Sequence, residues 1–310
     1  MTDESLRDRI RFVPRETDPQ AAVRGWEEVE KAAPAVVERL MALDPVPALL
    51  CGVFGNSPYL ARAARRRAEA LPGLVDASPE ATLERLVAEV AEAGRTASSE
   101  DELKRALRVA KLDGHLAIAL ADISGAWDFA AAAAALTRLA DACVEAALSA
   151  HVRFDAARGR IDEDAAGCGI VLLAMGKHGA YELNYSSDID LIVLFDRERF
   201  PVPAERDPHD AANAITRAIV RTLQDVTADG YAFRVDLRLR PDPGATPPAV
   251  NLAAALRYYE SLGQTWERAA LIKARPCAGD RDLAVYLSVL PAGTQLQRPV
   301  EAFDGHLCLR

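Results

Sequence analysis

The chain of 310 residues is 50% hydrophobic, enough apolar content for one or two cores, and its net charge is −9. An acidic chain without domain-wide basic character is a poor partner for a nucleic acid backbone, which weighs against a polymerase. Its five cysteines (Cys51, Cys143, Cys168, Cys277 and Cys308) form no CxxC pair, which speaks against a disulfide framework or a zinc site and for reduced thiols in a cytoplasmic protein.

The opening Met1-Thr-Asp-Glu-Ser-Leu-Arg-Asp is charged and lacks an apolar h-region, so no secretory signal is expected. From there to about His151 the pattern is helical. Asn56-Ser57-Pro58 reads as a helix start, with Pro at an early position. The helix after it carries Arg62, Arg65, Arg66 and Arg67, read as a solvated basic face. Ser99 with Glu102 predicts a capping box, after which Leu103 and Leu107 share a face. A further helix is expected from near Trp127, with Leu136, Ala140, Cys143 and Ala147 at helical spacing. Its Ala-rich stretch, Phe129 to Leu136, is far too short to span a bilayer.

Composition changes after Asp155. Ile170 to Met175 and Asp188 to Phe195 read as strands. His209 to Thr227 reads as a helix, with Ile215, Ile219 and Leu223 on one face. Phe233 to Arg240 alternates without a break. Val235, Leu237 and Leu239 would face a core; Arg234, Asp236, Arg238 and Arg240 would face the other way. Pro241-Asp-Pro-Gly244 ends that strand as a turn. Leu252 to Tyr259 reads as a helix, and Trp266 to Lys273 fits helix or strand equally. No internal repeat is visible. The order implies an α+β protein: a helical domain over 1–155, a catalytic domain over 156–285, and an atypical tail over 286–310.

The chemistry concentrates between Gly169 and Phe195. Alternation along a strand points Asp188 and Asp190 the same way, with Ile189, Leu191, Val193 and Phe195 opposite. Adjacent carboxylates repel, and a divalent metal such as Mg2+ is the natural compensation. Asp236 on the later strand offers a third carboxylate, which would complete a two-metal site for phosphoryl displacement. Arg238 and Arg240 present forks matched to phosphate oxygens. The turn Gly176-Lys177-His-Gly179 could bring backbone N–H groups to the same phosphates, and Ser186 and Ser187 could donate to them.

Blander readings compete. The DxD could be a solvated acidic corner or the metal motif of a sugar-nucleotide glycosyltransferase. The glycine pair matches neither a GxGxxG fingerprint nor a P-loop, and could be only a tight turn. Arg238 and Arg240 could be in surface ion pairs, and Lys273 could be merely solvated. His178 reads as an exposed loop histidine, and Trp127 and Trp266 read as core anchors.

Met175-Gly-Lys-His-Gly-Ala-Tyr-Glu-Leu-Asn-Tyr-Ser-Ser-Asp-Ile-Asp-Leu-Ile resembles the signature of the glutamine synthetase adenylyltransferase/adenylyl-removing enzyme family. Phe233-Arg-Val-Asp-Leu-Arg-Leu-Arg-Pro241 is similar to its second signature. Tyr258-Tyr-Glu with Trp266-Glu-Arg and Ile272-Lys-Ala-Arg275 is similar to its third. Gly55-Asn-Ser-Pro58-Tyr-Leu-Ala-Arg62 and Asp122-Ile-Ser-Gly-Ala-Trp127 resemble its helical region. His178 and Ala180 depart from the leucine and glycine usual there. The resemblance covers roughly residues 20 to 280 and fades after Asp280, where Val289-Leu-Pro-Ala-Gly and the tail do not look like the family's continuation.

The resemblance implies a DNA polymerase β-like nucleotidyltransferase domain. It implies metal ligation by Asp188, Asp190 and Asp236, with Mg2+ as the metal. Ser187, Arg238, Arg240 and Lys273 become phosphate contacts, beside Gly176, Lys177, Gly179 and Ser186 of the nucleotide site. Full-length members carry two such domains, and the Ser186-Ser187-Asp188-Ile189-Asp190 form resembles the adenylyl-removing one. The implied reaction is phosphorolysis: inorganic phosphate attacks the AMP–tyrosine bond of adenylylated glutamine synthetase and releases ADP. The competing expectations are ATP-dependent adenylylation, or an inactive fragment that only binds glutamine synthetase or the PII signal protein.

Overall fold

The computed structural model describes residues 4–162, 169–280 and 282–283. Cys168, Cys308 and the atypical tail lie outside them; Cys51, Cys143 and Cys277 are not in disulfides. The architecture is α+β, as expected. Helices run to Ala156, and a five-stranded mixed sheet follows. No described helix is long and apolar enough to cross a membrane.

The chain divides into two compact units. Of the described residues, those within 1–92, 105–140 and 182–185 form the first, and those within 93–104, 141–181 and 186–310 form the second. The division falls inside two long helices, Glu100–Ile123 and Phe129–Ala156.

The first unit is built from short helices. Pro19–Ala32, Pro34–Met41, Val46–Asn56 and Pro58–Arg66 each have a proline in the first turn, where its fixed φ helps and its missing N–H goes unneeded. Ser57 caps the last of them by accepting from Leu60 N–H at 3.2 Å. Their apolar faces, with Trp26, Leu40, Leu50, Phe54 and Leu60, close on Leu116 and Leu120. The basic run after Pro58 is only partly solvated. Arg67 turns inward and grips the buried Asp113 with two bonds, of 2.6 and 2.8 Å. A buried carboxylate needs such a partner.

The capping box at Ser99 forms by halves. Its hydroxyl accepts from Glu102 N–H at 3.2 Å, but the Glu102 carboxylate reaches Ser98 instead, at 2.6 and 2.8 Å. The helix expected near Trp127 begins at Phe129, and Leu136, Ala140, Cys143 and Ala147 are all buried along it.

The sheet belongs to the second unit. Strand β1 (Ile170–Ala174) pairs antiparallel with β2 (Ile189–Phe195) on one side and with β5 (Arg275–Gly279) on the other. The free edge of β2 takes two short parallel partners. β3 (Val235–Asp236) pairs with Ile189 and Asp190, and β4 (Ala249–Asn251) pairs with Val193 to Phe195. Every residue of β2 except Asp190 is buried, on both faces. Ile192 and Leu194 pack with Val171, Leu173, Val250 and Leu252 in the second core. Each such side chain contributes about 1.5–3 kcal/mol by leaving water.

The strand expected from Phe233 to Arg240 is cut to two residues. β4 occupies the same edge of β2 from Val193 onward, which leaves only Leu191 and Ile192 between the two short partners. The helix expected to end at Thr227 runs from Pro208 to Gln224, and the chain then turns through a Thr227–Gly230 bridge. Trp266 to Lys273 is helical: Thr265–Ala270 continues into a 3₁₀ turn at Leu271–Lys273.

Candidate active site

The site is built on the end of β2. Met175 N–H donates to the Asp190 carbonyl at 2.9 Å, carrying the β1–β2 ladder one residue beyond Ala174. Gly176–Gly179 then makes a single helical turn. Gly176 has φ +53°, and a Cβ on it would lie 2.9 Å from Asp190 Oδ2. At Gly179 a Cβ would lie 1.9 Å from the carbonyl oxygen of Lys273 and 2.6 Å from that of Ala174. Only glycine lets this turn pass between the end of β1 and the Leu271–Lys273 turn.

The parallel register places Asp190 beside Asp236. Paired positions of adjacent strands send their side chains to the same face, so both carboxylates project from one end of the sheet. Their electrostatics differ. Burial raises the Asp190 pKa, and the negative charges of Asp236 and Asp188 raise it further, against smaller opposing effects of His178 and Arg238. Among the described residues no donor reaches the Asp190 carboxylate. Asp236 is held below the usual carboxylate range by hydrogen bonds from Arg238, whose backbone N–H donates at 2.8 Å and whose Nε donates at 2.8 Å.

Asp188 lies one residue before β2, is exposed, and pairs with Arg234 Nε. Arg234 also donates to the Ser186 carbonyl at 2.5 Å and to the Tyr231 hydroxyl at 3.2 Å. An arginine therefore faces the first and the third acid but not Asp190. That middle carboxylate, without a hydrogen-bond donor and with two acids beside it, is the observation that fits a hard divalent cation, since all the ligand atoms are oxygens and the charge needs relief. Asp190 and Asp236, with Asp188, are the residues that could hold it.

The remaining candidates scatter around this end. Lys177 and Ser186 are exposed, and Ser187 is half-buried. Lys273 is exposed in the 3₁₀ turn whose carbonyl meets Gly179. Arg238 is 84% exposed and folds back on Asp236. Arg240 turns away from the acids. Its guanidinium donates to the carbonyls of Leu237 and Pro243 at 2.9 Å and of Thr246 at 3.0 Å, tying the loop 237–246.

Two expectations are corrected. His178 is not an exposed loop histidine: it is fully buried, and its Nε2 lies 2.7 Å from Asp141 Oδ1. Trp266 is not a core anchor but is 57% exposed. Trp127 does pack against the helical core, and its Nε1 donates to Glu80 at 2.7 Å.

No motif announces the buried group that His178 joins. Asp141 Oδ, a His178 nitrogen and Cys277 Sγ lie within 4.8 Å of one another, and among the described residues no other such group of donors is that close. The three site aspartates are thus spaced more widely than that. Arg275 completes the group. Its Nη2 donates to Asp141 Oδ1 at 2.9 Å and to the His178 carbonyl at 3.2 Å. Its Nη1 approaches Asp141 Oδ2 at 2.7 Å, an ion-pair contact without hydrogen-bond angles. Arg275 falls in a motif seen in the sequence; Asp141 lies on a helix with no local signal.

Residues 48–288 match a family model described as glutamate-ammonia ligase adenylyltransferase. The chain is similar to the bifunctional glutamine synthetase adenylyltransferase/adenylyl-removing enzyme of Xanthobacter autotrophicus, 50% identical over 302 residues, covering 90% of this chain and 30% of that protein. The protein of the same description from Caulobacter vibrioides is 45% identical over 280 residues, covering 89% of this chain and 28% of its own length. That from Brucella suis is 45% identical over 267 residues, covering 83% and 26%. The chain spans less than a third of the length of these curated relatives.

Proposed function

Starting from the premise that this chain belongs to the glutamate-ammonia ligase adenylyltransferase family, a family of nucleotidyltransferases, we propose that it removes AMP from adenylylated glutamine synthetase by phosphorolysis. The observation that carries this reading is the pairing of Asp190 with Asp236 in parallel register, with the Asp190 carboxylate accepting no hydrogen bond among the described residues. A divalent cation, Mg2+ in this reading, would be held there by Asp190 and Asp236 with Asp188, and would supply charge neutralisation to a phosphoryl group in transfer.

The chain's own residues do the rest. The Gly176–Gly179 turn sits against Asp190, and its glycines would let a phosphate approach the backbone N–H groups closely. Arg234 and Arg238 are exposed cations next to Asp188 and Asp236, positioned to exchange a carboxylate for a phosphate oxygen. A phosphate oxygen forms the new bond to the α-phosphorus of the AMP group. The bond from that phosphorus to the tyrosine oxygen breaks, the tyrosine takes up a proton, and ADP leaves. The direction, removal rather than attachment, rests on the Ser186-Ser187-Asp188-Ile189-Asp190 form.

The test is to incubate the chain with adenylylated glutamine synthetase, Mg2+ and phosphate and to measure ADP. ADP release that Asp190→Asn abolishes is expected. A parallel incubation of the unmodified target with labelled ATP should give no label. Labelling there without ADP release from the adenylylated form would reverse the assignment, and a folded chain inactive in both would sink it.

A further inference from the structure

We infer that the buried His178–Asp141–Arg275 cluster is a positioning device that sets Asp190 through the Gly176–Gly179 turn. The inference rests on the reading of Asp190 as a metal-holding carboxylate. His178 lies two residues beyond Gly176 and is fully buried. Its imidazole fixes the turn to the helix Phe129–Ala156 through the 2.7 Å contact with Asp141, which is itself only 5% exposed. A carboxylate buried that deeply is tolerated only when compensated. Arg275 on β5 compensates it and also reaches the His178 carbonyl. The same guanidinium lies over the Tyr181 ring, 4.1 Å from its centroid. The turn is thus held at its side chain, at its carbonyl and at the ring that follows.

An apolar residue at 178 would fill the space but would make no directional bond. The bond matters because of what lies at the other end of the turn. Met175, at the start of the turn, donates its N–H to the Asp190 carbonyl at 2.9 Å, and Gly176 lies so near that an added Cβ would come within 2.9 Å of Oδ2, so a displaced turn changes both the backbone and the space beside that carboxylate. Partners one step removed from a metal ligand commonly change metal affinity about 10–100-fold. The cluster is not itself suited to a metal. Arg275 already neutralises Asp141, and burial pushes the Cys277 thiol well up, away from the thiolate that binds metal.

The experiment measures Mn2+ binding by calorimetry and ADP release on the full chain, for the parent, His178→Leu, His178→Gln and Arg275→Lys. The glutamine amide nitrogen can replace Nε2 toward Asp141. We expect His178→Leu to weaken Mn2+ binding about tenfold and to lower kcat about tenfold at unchanged KM for adenylylated glutamine synthetase, with His178→Gln recovering most of both. Arg275→Lys keeps a cation but loses the fork, and should fall between. Parental Mn2+ affinity in His178→Leu, or no recovery in His178→Gln, would overturn the inference. If His178→Leu does not fold, parental Mn2+ affinity in Arg275→Lys overturns it instead. A parent that binds Mn2+ but releases no ADP defeats the phosphorolysis reading while the binding arm still decides the positioning role. A parent that binds no Mn2+ defeats both.

Discussion

The strand Ile189–Phe195 and the segment Phe233–Arg240 each contribute an acid to the same end of the sheet, from opposite kinds of support. The first is paired along both edges and buried on both faces. The second holds two ladder positions at an edge and then leaves the sheet. Asp190 is accordingly fixed by backbone and packing, and its charge is left without a donor. Asp236 is fixed partly by an arginine two residues further along its own segment. Rigid framing lets an acid remain uncompensated, whereas a loosely framed acid needs a partner.

The comparison breaks first at the chemistry. Asp190→Asn should lower ADP release about 10³-fold, equivalent to about 4 kcal/mol of transition-state stabilisation. A loss under tenfold, measured at saturating Mg2+, would put Asp236 rather than Asp190 at the centre of the site.

Packing sharpens it next. Leu194→Ala in β2 should destabilise the fold by about 2–5 kcal/mol, and Leu237→Ala beyond β3 by about 1 kcal/mol or less, read from denaturant midpoints at constant slope. Equal losses would mean that the edge segment is as firmly held as the strand beside it.

A smaller effect lies in pH and has opposite signs for the two acids. A raised folded-state pKa adds stability below the ordinary carboxylate value and loses it as pH rises through the folded value, so at pH 7 the charged Asp190 is a burden. Metal-free Asp190→Asn should therefore melt above the parent at pH 7. Asp236 has a lowered pKa, so its contribution is present at pH 7 and is lost as pH falls through the folded value. Metal-free Asp236→Asn should melt below the parent at pH 7. Scanning calorimetry without metal reads both shifts, and matching signs would contradict the contrast. Smallest of all, Arg238→Ala should change ADP release only a few-fold, because its guanidinium is mostly solvated.

How much was legible in the sequence follows the same contrast. β1 and β2 read clearly because buried strands are near-continuous apolar runs, and Ile215, Ile219 and Leu223 read clearly because their helix has one core face. The alternation from Phe233 to Arg240 promised eight residues of strand. Ala249–Asn251 takes the same edge from Val193 onward and limits how far such a strand could run, which no local pattern encodes. Asp188, Asp190 and Asp236 were visible as a set, but the role of Arg240 was not, since its carbonyl partners come from a loop that exists only once the chain has turned. His178 looked exposed because its compensation comes from Asp141 and Arg275, 37 and 97 residues away in the chain.

Gly179 bears on inheritance as well as on shape. Every single-base change in a glycine codon that alters the residue either adds a Cβ or stops the chain. With the carbonyl oxygen of Lys273 1.9 Å from where that carbon would sit, each allele that adds it starts life in collision with backbone. Position 179 is closed to stepwise drift, and a lineage could leave glycine there only after the Leu271–Lys273 turn had first moved aside.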